Sequence, residues 1–320
     1  MSSVSRRVTA IVSAVVLVAC GPPERSDAEP EDGRPHSIVP TPTAPPRDRA
    51  FDGQGHRGAR GLFPENTVAA GQFALDQGLP TIELDLAVSR DSALVVSHEP
   101  HFDATICSLA DGPYDESTSF SDLTLAQIQT VDCGSLAHPE FPYQQAVPSP
   151  KPSLREFVIA LDAYASGLGR PLPRYNMEIK SAPELDGTYT PGPGAFARLV
   201  AEAIARLGLD GRVTVQSFDP RPLAALHRIS PKLPLAGLVP VHKPVPAFRE
   251  AFGDYVDICS PHHLLLTRVS IEKYHAAGLR VIPWTVNDKS RMRTLISWDV
   301  DGIITDYPDR LAEVLRESVR

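Results

Sequence analysis

Cysteine is scarce, with 4 in 320 residues: Cys20, Cys107, Cys133 and Cys259. No pair stands at Cys-x-x-Cys spacing, so zinc-ribbon and thioredoxin-like patterns are excluded. Long hydrophobic runs are also missing. The apolar stretch Val8 to Ala19 is too short to span a bilayer as a helix, which takes about 20 residues. Positive charge is outnumbered, Lys+Arg 31 against Asp+Glu 39, a net charge of −8. That balance gives no support for a nucleic-acid partner.

What the chain does have is concentrated between His56 and Glu99, HRGARGLFPENTVAAGQFALDQGLPTIELDLAVSRDSALVVSHE. His56, Arg57 and Gly58 open the stretch, Glu83 and Asp85 stand in its middle, and His98 closes it. Histidine exchanges protons near neutral pH. Glu83 and Asp85 flank one residue on a predicted strand, so their side chains point the same way. Such a pair suits a hard divalent cation. Thr81 to Leu86 and Leu94 to Ser97 both read as strands. The short link between them excludes a parallel crossover and predicts an antiparallel hairpin. Folding about Arg90-Asp91 places His98 opposite Glu83, with Cβ atoms about 5 Å apart.

Eight parallel strands are predicted: Phe51–His56, Thr81–Leu86, Arg174–Ile179, Arg212–Ser217, Pro234–Val239, Tyr255–Cys259, Leu279–Thr285 and Gly302–Thr305. Helical patterns separate them. Phe196, Leu199, Val200, Ala203, Ile204 and Leu207 form one apolar stripe at helical spacing. Alternation of this kind argues for an α/β (β/α)8 TIM barrel, with a doubly wound sheet as the lesser alternative. In a barrel the C-terminal strand ends meet at one face. His56, Glu83, Asp85, Glu178, Lys180, Gln216, Trp284 and Asp306 all fall there.

The H-R-G, P-E-N-T, E-L-D and V-V-S-H elements, in that order, resemble the glycerophosphodiester phosphodiesterase family. N-M-E-I-K, V-Q-S-F, P-W-T-V-N and D-G-I-I-T-D-Y-P extend the resemblance over about Gly55 to Pro308. One departure is Glu99, where the family usually has Asp after its second histidine. No chemistry is expected to rest on it. The resemblance implies one divalent cation, Ca²⁺ or Mg²⁺, held by Glu83, Asp85 and Glu178. It implies acid–base roles for His56 and His98. Arg57 and Lys180 would hold phosphate oxygens, with Gln216 and Trp284 beside the substrate. Arg57 is also a candidate for a salt bridge to a site carboxylate, Gln216 for fixing a neighbour, and Trp284 for barrel filling.

The chemistry of these residue types suits a small anionic phosphodiester. Carboxylate oxygens favour hard cations, Arg and Lys stabilise charged phosphate oxygens, and two histidines can take and give a proton. The implied reaction releases glycerol 3-phosphate and an alcohol. The competing readings are a phospholipase D-like or C-like activity on lysolipids, and a catalytically inactive binding lipoprotein.

Residues 1–20 read as an export signal. Arg6 and Arg7 precede the apolar stretch, and Leu17-Val18-Ala19-Cys20 resembles a bacterial lipobox, with Cys20 as the lipidation site. Residues 21–49 form a Pro-rich tether with the composition of a disordered segment. The expected location is therefore an exported lipoprotein, facing periplasm or cell exterior, that touches the membrane only through its N-terminal lipid. The catalytic domain covers residues 50–320, with an insertion at 100–152. Export permits a disulfide. Cys107 and Cys133 flank the irregular insertion and are the expected pair, leaving Cys259 as a buried thiol.

Overall fold

A computed structural model describes residues 50–110 and 112–318. Cys20 and the residues expected to form an export signal and a tether lie outside the described residues. The strands are β1 (Asp52–Gly55), β2 (Thr81–Val88), β3 (Leu94–Val96), β4 (Arg174–Ile179), β5 (Val213–Ser217), β6 (Leu235–Val239), β7 (Ile258–Pro261), β8 (Arg280–Val281) and β9 (Gly302–Thr305). All but β3 are parallel, in the order β8-β7-β6-β5-β4-β2-β1-β9. The ends of this row also meet. Asp301 N donates to Val281 O at 2.8 Å, Ile304 N to Pro283 O at 3.0 Å, and Val286 N to Ile304 O at 2.9 Å. These bonds bring the sheet round on itself as a (β/α)8 TIM barrel.

The helices are α1 (Val68–Asp76), α2 (Leu125–Ile128), α3 (Leu154–Gly167), α4 (Pro193–Leu207), α5 (Pro220–Ile229), α6 (Val245–Phe252), α7 (Arg268–Ala276), α8 (Lys289–Ser297) and α9 (Pro308–Ser318). Local chemistry starts and stops them. Ser153 and Glu156 form a reciprocal capping box on α3. Pro193 opens α4 and Gly208, left-handed at φ 63°, ends it. The predicted stripe on α4 faces inward: Phe196, Val200, Ala203 and Ile204 are buried, with Leu199 and Leu207 at the edge of the core.

The barrel interior has two halves. Ala236, Ile258, Ile282 and Ile304 fill one with aliphatic side chains, packed against Trp284. The other is a polar column. Asn176 donates to Gln54 at 2.8 Å and to Gln216 at 3.0 Å, and Gln216 donates to Glu83 at 2.9 Å. Buried polar groups need such partners, so this column carries order from the barrel floor up to the mouth.

The β2–β3 hairpin forms, but its register differs from the sequence expectation. Leu86 pairs with Val96 and Val88 with Leu94, one residue later than a fold about Arg90-Asp91 gives. The turn takes an additional residue, Ser92, which is left-handed at φ 62°. Glu83 and His98 are therefore not cross-strand partners, because β3 ends at Val96 and the chain bends from His98 onward. A further sequence feature is Gly53-x-Gly55-x-x-Gly58, which has dinucleotide-turn spacing. Gly53 and Gly55 lie inside β1 and no helix starts at Gly58, so it does not form that turn.

The insertion has a small core of its own. Phe102, Ile106, Phe120, Leu123, Ile128 and Val131 bury against Ala87 and Val95 of the hairpin. Cys107 and Cys133 join within this core as a disulfide, and Cys259 is buried as a free thiol. Where sequence periodicity predicts a helix over Thr124 to Val131, α2 is shorter and sits under a Thr124–Gln127 capping box. No helix among the described residues is long and apolar enough to cross a membrane.

Candidate active site

The turn after β1 sets the first histidine. Arg57 and Gly58 are both left-handed, at φ 47° and 84°. A Cβ at Gly58 would come within 2.7 Å of the Ala70 backbone, so only glycine lets this turn approach α1. The strained Arg57 is held on both sides. Its N–H donates to Glu83 Oε2 at 2.8 Å, and its carbonyl accepts from Asn66 N at 2.9 Å. Positive φ at a non-glycine residue needs such support.

His56 then reaches the cavity with its Nδ1 2.6 Å from Asp306 Oδ1. Asn287 fixes that carboxylate by donating to Asp306 Oδ2 at 2.6 Å. The other ring nitrogen, Nε2, faces Glu83 Oε2 at 4.0 Å. Burial alone would lower the His56 pKa, but the Asp306 and Glu83 carboxylates outweigh it and raise the value.

His98 arrives from the hairpin in the same manner. Its Nδ1 lies 2.6 Å from Glu99 Oε1, and its Nε2 lies 2.9 Å from Lys180 Nζ. Lys180 also pairs with Glu178 at 2.8 Å. Glu99, at which no chemistry was expected, is thus the hydrogen-bond partner of a site histidine.

Glu83, Asp85 and Glu178 each offer one oxygen, and these oxygens lie within 4.8 Å of one another. Register produces this cluster: Asp85 of β2 pairs with Glu178 of β4, and Glu83 points the same way two residues earlier. All three are buried. Burial and the neighbouring Asp85 push the Glu83 carboxyl up to about 8. Asp85 goes the other way. Burial would raise it, but the Arg57 guanidinium, with His98 and Lys180, holds it far below the usual carboxylate range. Arg57 Nε stands 3.3 Å from Asp85 Oδ2, and Asn66 donates to the same oxygen at 2.9 Å. The second oxygen, Oδ1, is buried with no hydrogen-bond partner. Lys180 Nζ stands 3.9 Å from it. A buried carboxylate oxygen without a hydrogen bond, beside two further hard oxygen donors, fits a Ca²⁺ or Mg²⁺ ion.

The cavity itself measures about 270 Å³ and includes His56, His98, Glu178, Lys180, Phe218 and Trp284 in its wall. Trp284 donates its Nε1–H to Ser260 O at 2.8 Å and meets Phe218 edge to face at 5.3 Å. Gln216 spends its amide on Glu83, and Arg57 spends its guanidinium on Glu65 at 2.8 Å and on Asp85. Both also line the cavity. His262 packs edge-on against Trp284 at 5.2 Å.

Sequence reading placed Asp306 at the barrel mouth without a role and missed Glu65, Asn66 and Asn287. Glu65 and Asn66, in the P-E-N-T element, brace Arg57 and Asp85. Asn287 holds the Asp306 carboxylate that sets His56. Their shared signal is a polar residue in a short element that also carries a site motif.

Comparison with known proteins supplies the family. Residues 56–310 match the glycerophosphoryl diester phosphodiesterase family. A glycerophosphodiester phosphodiesterase of Bacillus subtilis is 30% identical over 270 residues, covering 81% of this chain and 84% of the relative. A lysophospholipase D of mouse is 24% identical over 283 residues, covering 81% and 84%. Among solved structures, a putative glycerophosphoryl diester phosphodiesterase from Silicibacter pomeroyi superposes with a TM-score of 0.75 at 26% identity, over 85% of this chain and 95% of that one. The chain belongs to the glycerophosphoryl diester phosphodiesterase family and is a phosphodiester hydrolase.

Proposed function

We propose that the protein hydrolyses glycerophosphodiesters to glycerol 3-phosphate and an alcohol, with His56 and His98 as the acid–base pair and one divalent cation on Glu83, Asp85 and Glu178. The observation that carries this reading is the matched histidine geometry. Each Nδ1 is tied to a carboxylate at 2.6 Å; His56 Nε2 then faces Glu83 Oε2 at 4.0 Å, and His98 Nε2 meets Lys180 Nζ at 2.9 Å, which itself pairs with Glu178 at 2.8 Å. A carboxylate on Nδ1 fixes the tautomer and ring plane and favours the imidazolium once formed.

When bound, the cation supplies charge to a phosphoryl oxygen and acidifies a hydroxyl. The chain's own residues do the rest. Lys180 stands beside His98 and Glu178, where its ammonium can bind a second phosphate oxygen. Arg57 keeps Asp85 ionised and fixes the Glu83 carboxylate through its own N–H. One histidine takes the proton of the attacking hydroxyl, and the other protonates the departing alkoxide. A neighbouring hydroxyl of the glycerol moiety is the first nucleophile, giving a cyclic phosphate that water then opens. Trp284 and Phe218 offer apolar faces to the carbon skeleton of the glycerol.

A second reading has one observation in its favour. Phe218, Val241 and Leu264, at 39%, 62% and 72% exposure, follow the C-terminal ends of β5, β6 and β7 at the barrel mouth. An acyl chain on the substrate would find apolar surface there, which supports activity on lysolipids. Turnover of glycerophosphocholine against lysophosphatidylcholine, each with and without chelator, tests both readings. Turnover of neither by cation-loaded protein would leave only a binding role.

We further propose that the protein is exported and anchored through an acylated Cys20. The lipobox-like run before Cys20 supports this.

A further inference from the structure

Beside His98 lies a second cavity of about 120 Å³. It borders the first, because Arg57, Arg60 and His98 line both. Its distinctive wall residue is Lys151. The residue is only 4% exposed, and among the described residues its ammonium makes neither an ion pair nor a hydrogen bond and opens onto the cavity. A largely buried ammonium with no bonded partner is costly, and proteins rarely keep one. The backbone around it is fixed. Ser149 O accepts from Cys133 N at 2.8 Å and Pro152 O accepts from Val96 N at 2.8 Å. Lys151 is thus held in the cavity from both sides by the insertion and the hairpin.

The groups facing Lys151 show which partner is missing. Glu65 also lines the cavity, but its carboxylate is already taken by Arg57 at 2.8 Å and by Arg60 Nε at 2.6 Å. Glu99 is taken by His98. Asp103 accepts from Thr105 N at 2.8 Å. The donors are less committed. Arg60 uses only its Nε in hydrogen bonding. His101 gives its Nδ1–H to Phe102 O at 3.0 Å, so its Nε2, 3.8 Å from Glu99 Oε2, donates only as an imidazolium. Lys and Arg carry donors and no acceptor. Uncommitted donors of this kind suit a guest rich in acceptors, in a space larger than one water, whose share of liquid volume is about 30 Å³.

We propose that this cavity is a second oxyanion subsite, in which Lys151, Arg60 and His101 hold a free phosphate or a phosphomonoester. A tetrahedral oxyanion offers the several acceptors that a lysine, a guanidinium edge and, once protonated as the anion approaches, the His101 imidazolium converge on. Burial lowers the Lys151 pKa in the free protein, and an anion in the cavity reverses that pressure. The subsite lies against His98, so its occupant sits next to the reaction centre without displacing the Glu83, Asp85 and Glu178 oxygens.

Equilibrium dialysis of the cation-loaded full chain tests this with two labelled probes, inorganic phosphate and glycerol 3-phosphate. Two anions per wild-type chain are expected with at least one of the probes, against one in Lys151→Met. Filling by only one probe identifies the source of the oxyanion and keeps the assignment. His101→Asn, a milder change at the cavity wall, should weaken the second binding event by about tenfold and leave the first unchanged. One anion per wild-type chain with both probes overturns the subsite, even if Lys151→Met fails to fold. So does a second event that neither substitution weakens. Diesterase turnover on the same samples keeps the outcomes apart. Its absence counts against the proposed reaction, whereas the stoichiometry speaks only to the subsite.

Discussion

The Nδ1 nitrogen of His98 lies 2.6 Å from Glu99 Oε1, which repeats between sequence neighbours what His56 and Asp306 achieve across the barrel. The His98 hydrogen bond holds the Glu99 carboxyl well below its usual range, so the pair is poised as a carboxylate and an N–H donor. Removing the charge but keeping the shape, as in Glu99→Gln, should lower kcat by about tenfold or more with little change in KM, a fraction of the usual acid–base contribution. Glu99→Asp should recover part of the loss. Equal kcat/KM pH profiles for wild type and Glu99→Gln would show that Glu99 does not position His98.

The two histidines themselves separate by leaving group. His56→Ala and His98→Ala should each cut glycerophosphodiester turnover by about 10²-fold or more. On a p-nitrophenyl diester the leaving group needs no proton, so only the variant lacking the general acid should recover. Its identity assigns the acid. Full turnover of the natural diester by either variant, folded and cation-loaded, would refute the acid–base pair.

The disulfide can be tested apart from catalysis. Cys107 and Cys133, 26 residues apart, close a loop within the insertion core. Such a loop typically contributes about 2–4 kcal/mol. In a Cys20→Ser background, thiol labelling of the unreduced, denatured chain should find one reactive cysteine, Cys259. Reduction should lower the unfolding temperature. Labelling at Cys107 contradicts the pairing.

The anchor prediction stands on sequence. Cys20→Ser should move the protein from the membrane fraction to a soluble or unprocessed form. Intact, unacylated Cys20 in the mature protein, seen by mass spectrometry, would exclude lipidation.

How far the sequence could be read follows from what each pattern measures. Period-two alternation shows that Glu83 and Asp85 share a face, and strand–helix alternation brings Glu178 to the same barrel end, so the carboxylate cluster is visible without a structure. The His98 position is not, because the left-handed Ser92 lengthens the turn and shifts the register by one. Alternation cannot report a turn conformation. The roles of Glu65, Asn66 and Asn287 depend on contacts between loops, for which spacing holds no signal. Lys151 is the sharpest case. Within Pro148-Ser149-Pro150-Lys151-Pro152 it reads as a solvated loop residue, and only packing of the insertion buries it.

The cation cluster links metal, pH and stability. In the cation-free protein, burial and the neighbouring Asp85 push Glu83 up to about 8 from 4.5. Between those values the folded chain holds a proton that the unfolded chain has released. Its contribution to stability is therefore full below about 4.5 and is lost as pH rises through about 8. The melting temperature of chelated protein should fall over that window, and Ca²⁺ or Mg²⁺ should restore it. Cation binding must also displace the Glu83 proton. Apparent affinity should rise by about tenfold per pH unit below 8 and level off above it. Chelation should abolish turnover, and Ca²⁺ or Mg²⁺ should return it. Titrations at pH 6, 7 and 9 check the slope. Equal affinity at all three pH values would show that Glu83 is ionised without the cation. Full turnover by protein shown metal-free by elemental analysis would remove the cation from the reaction.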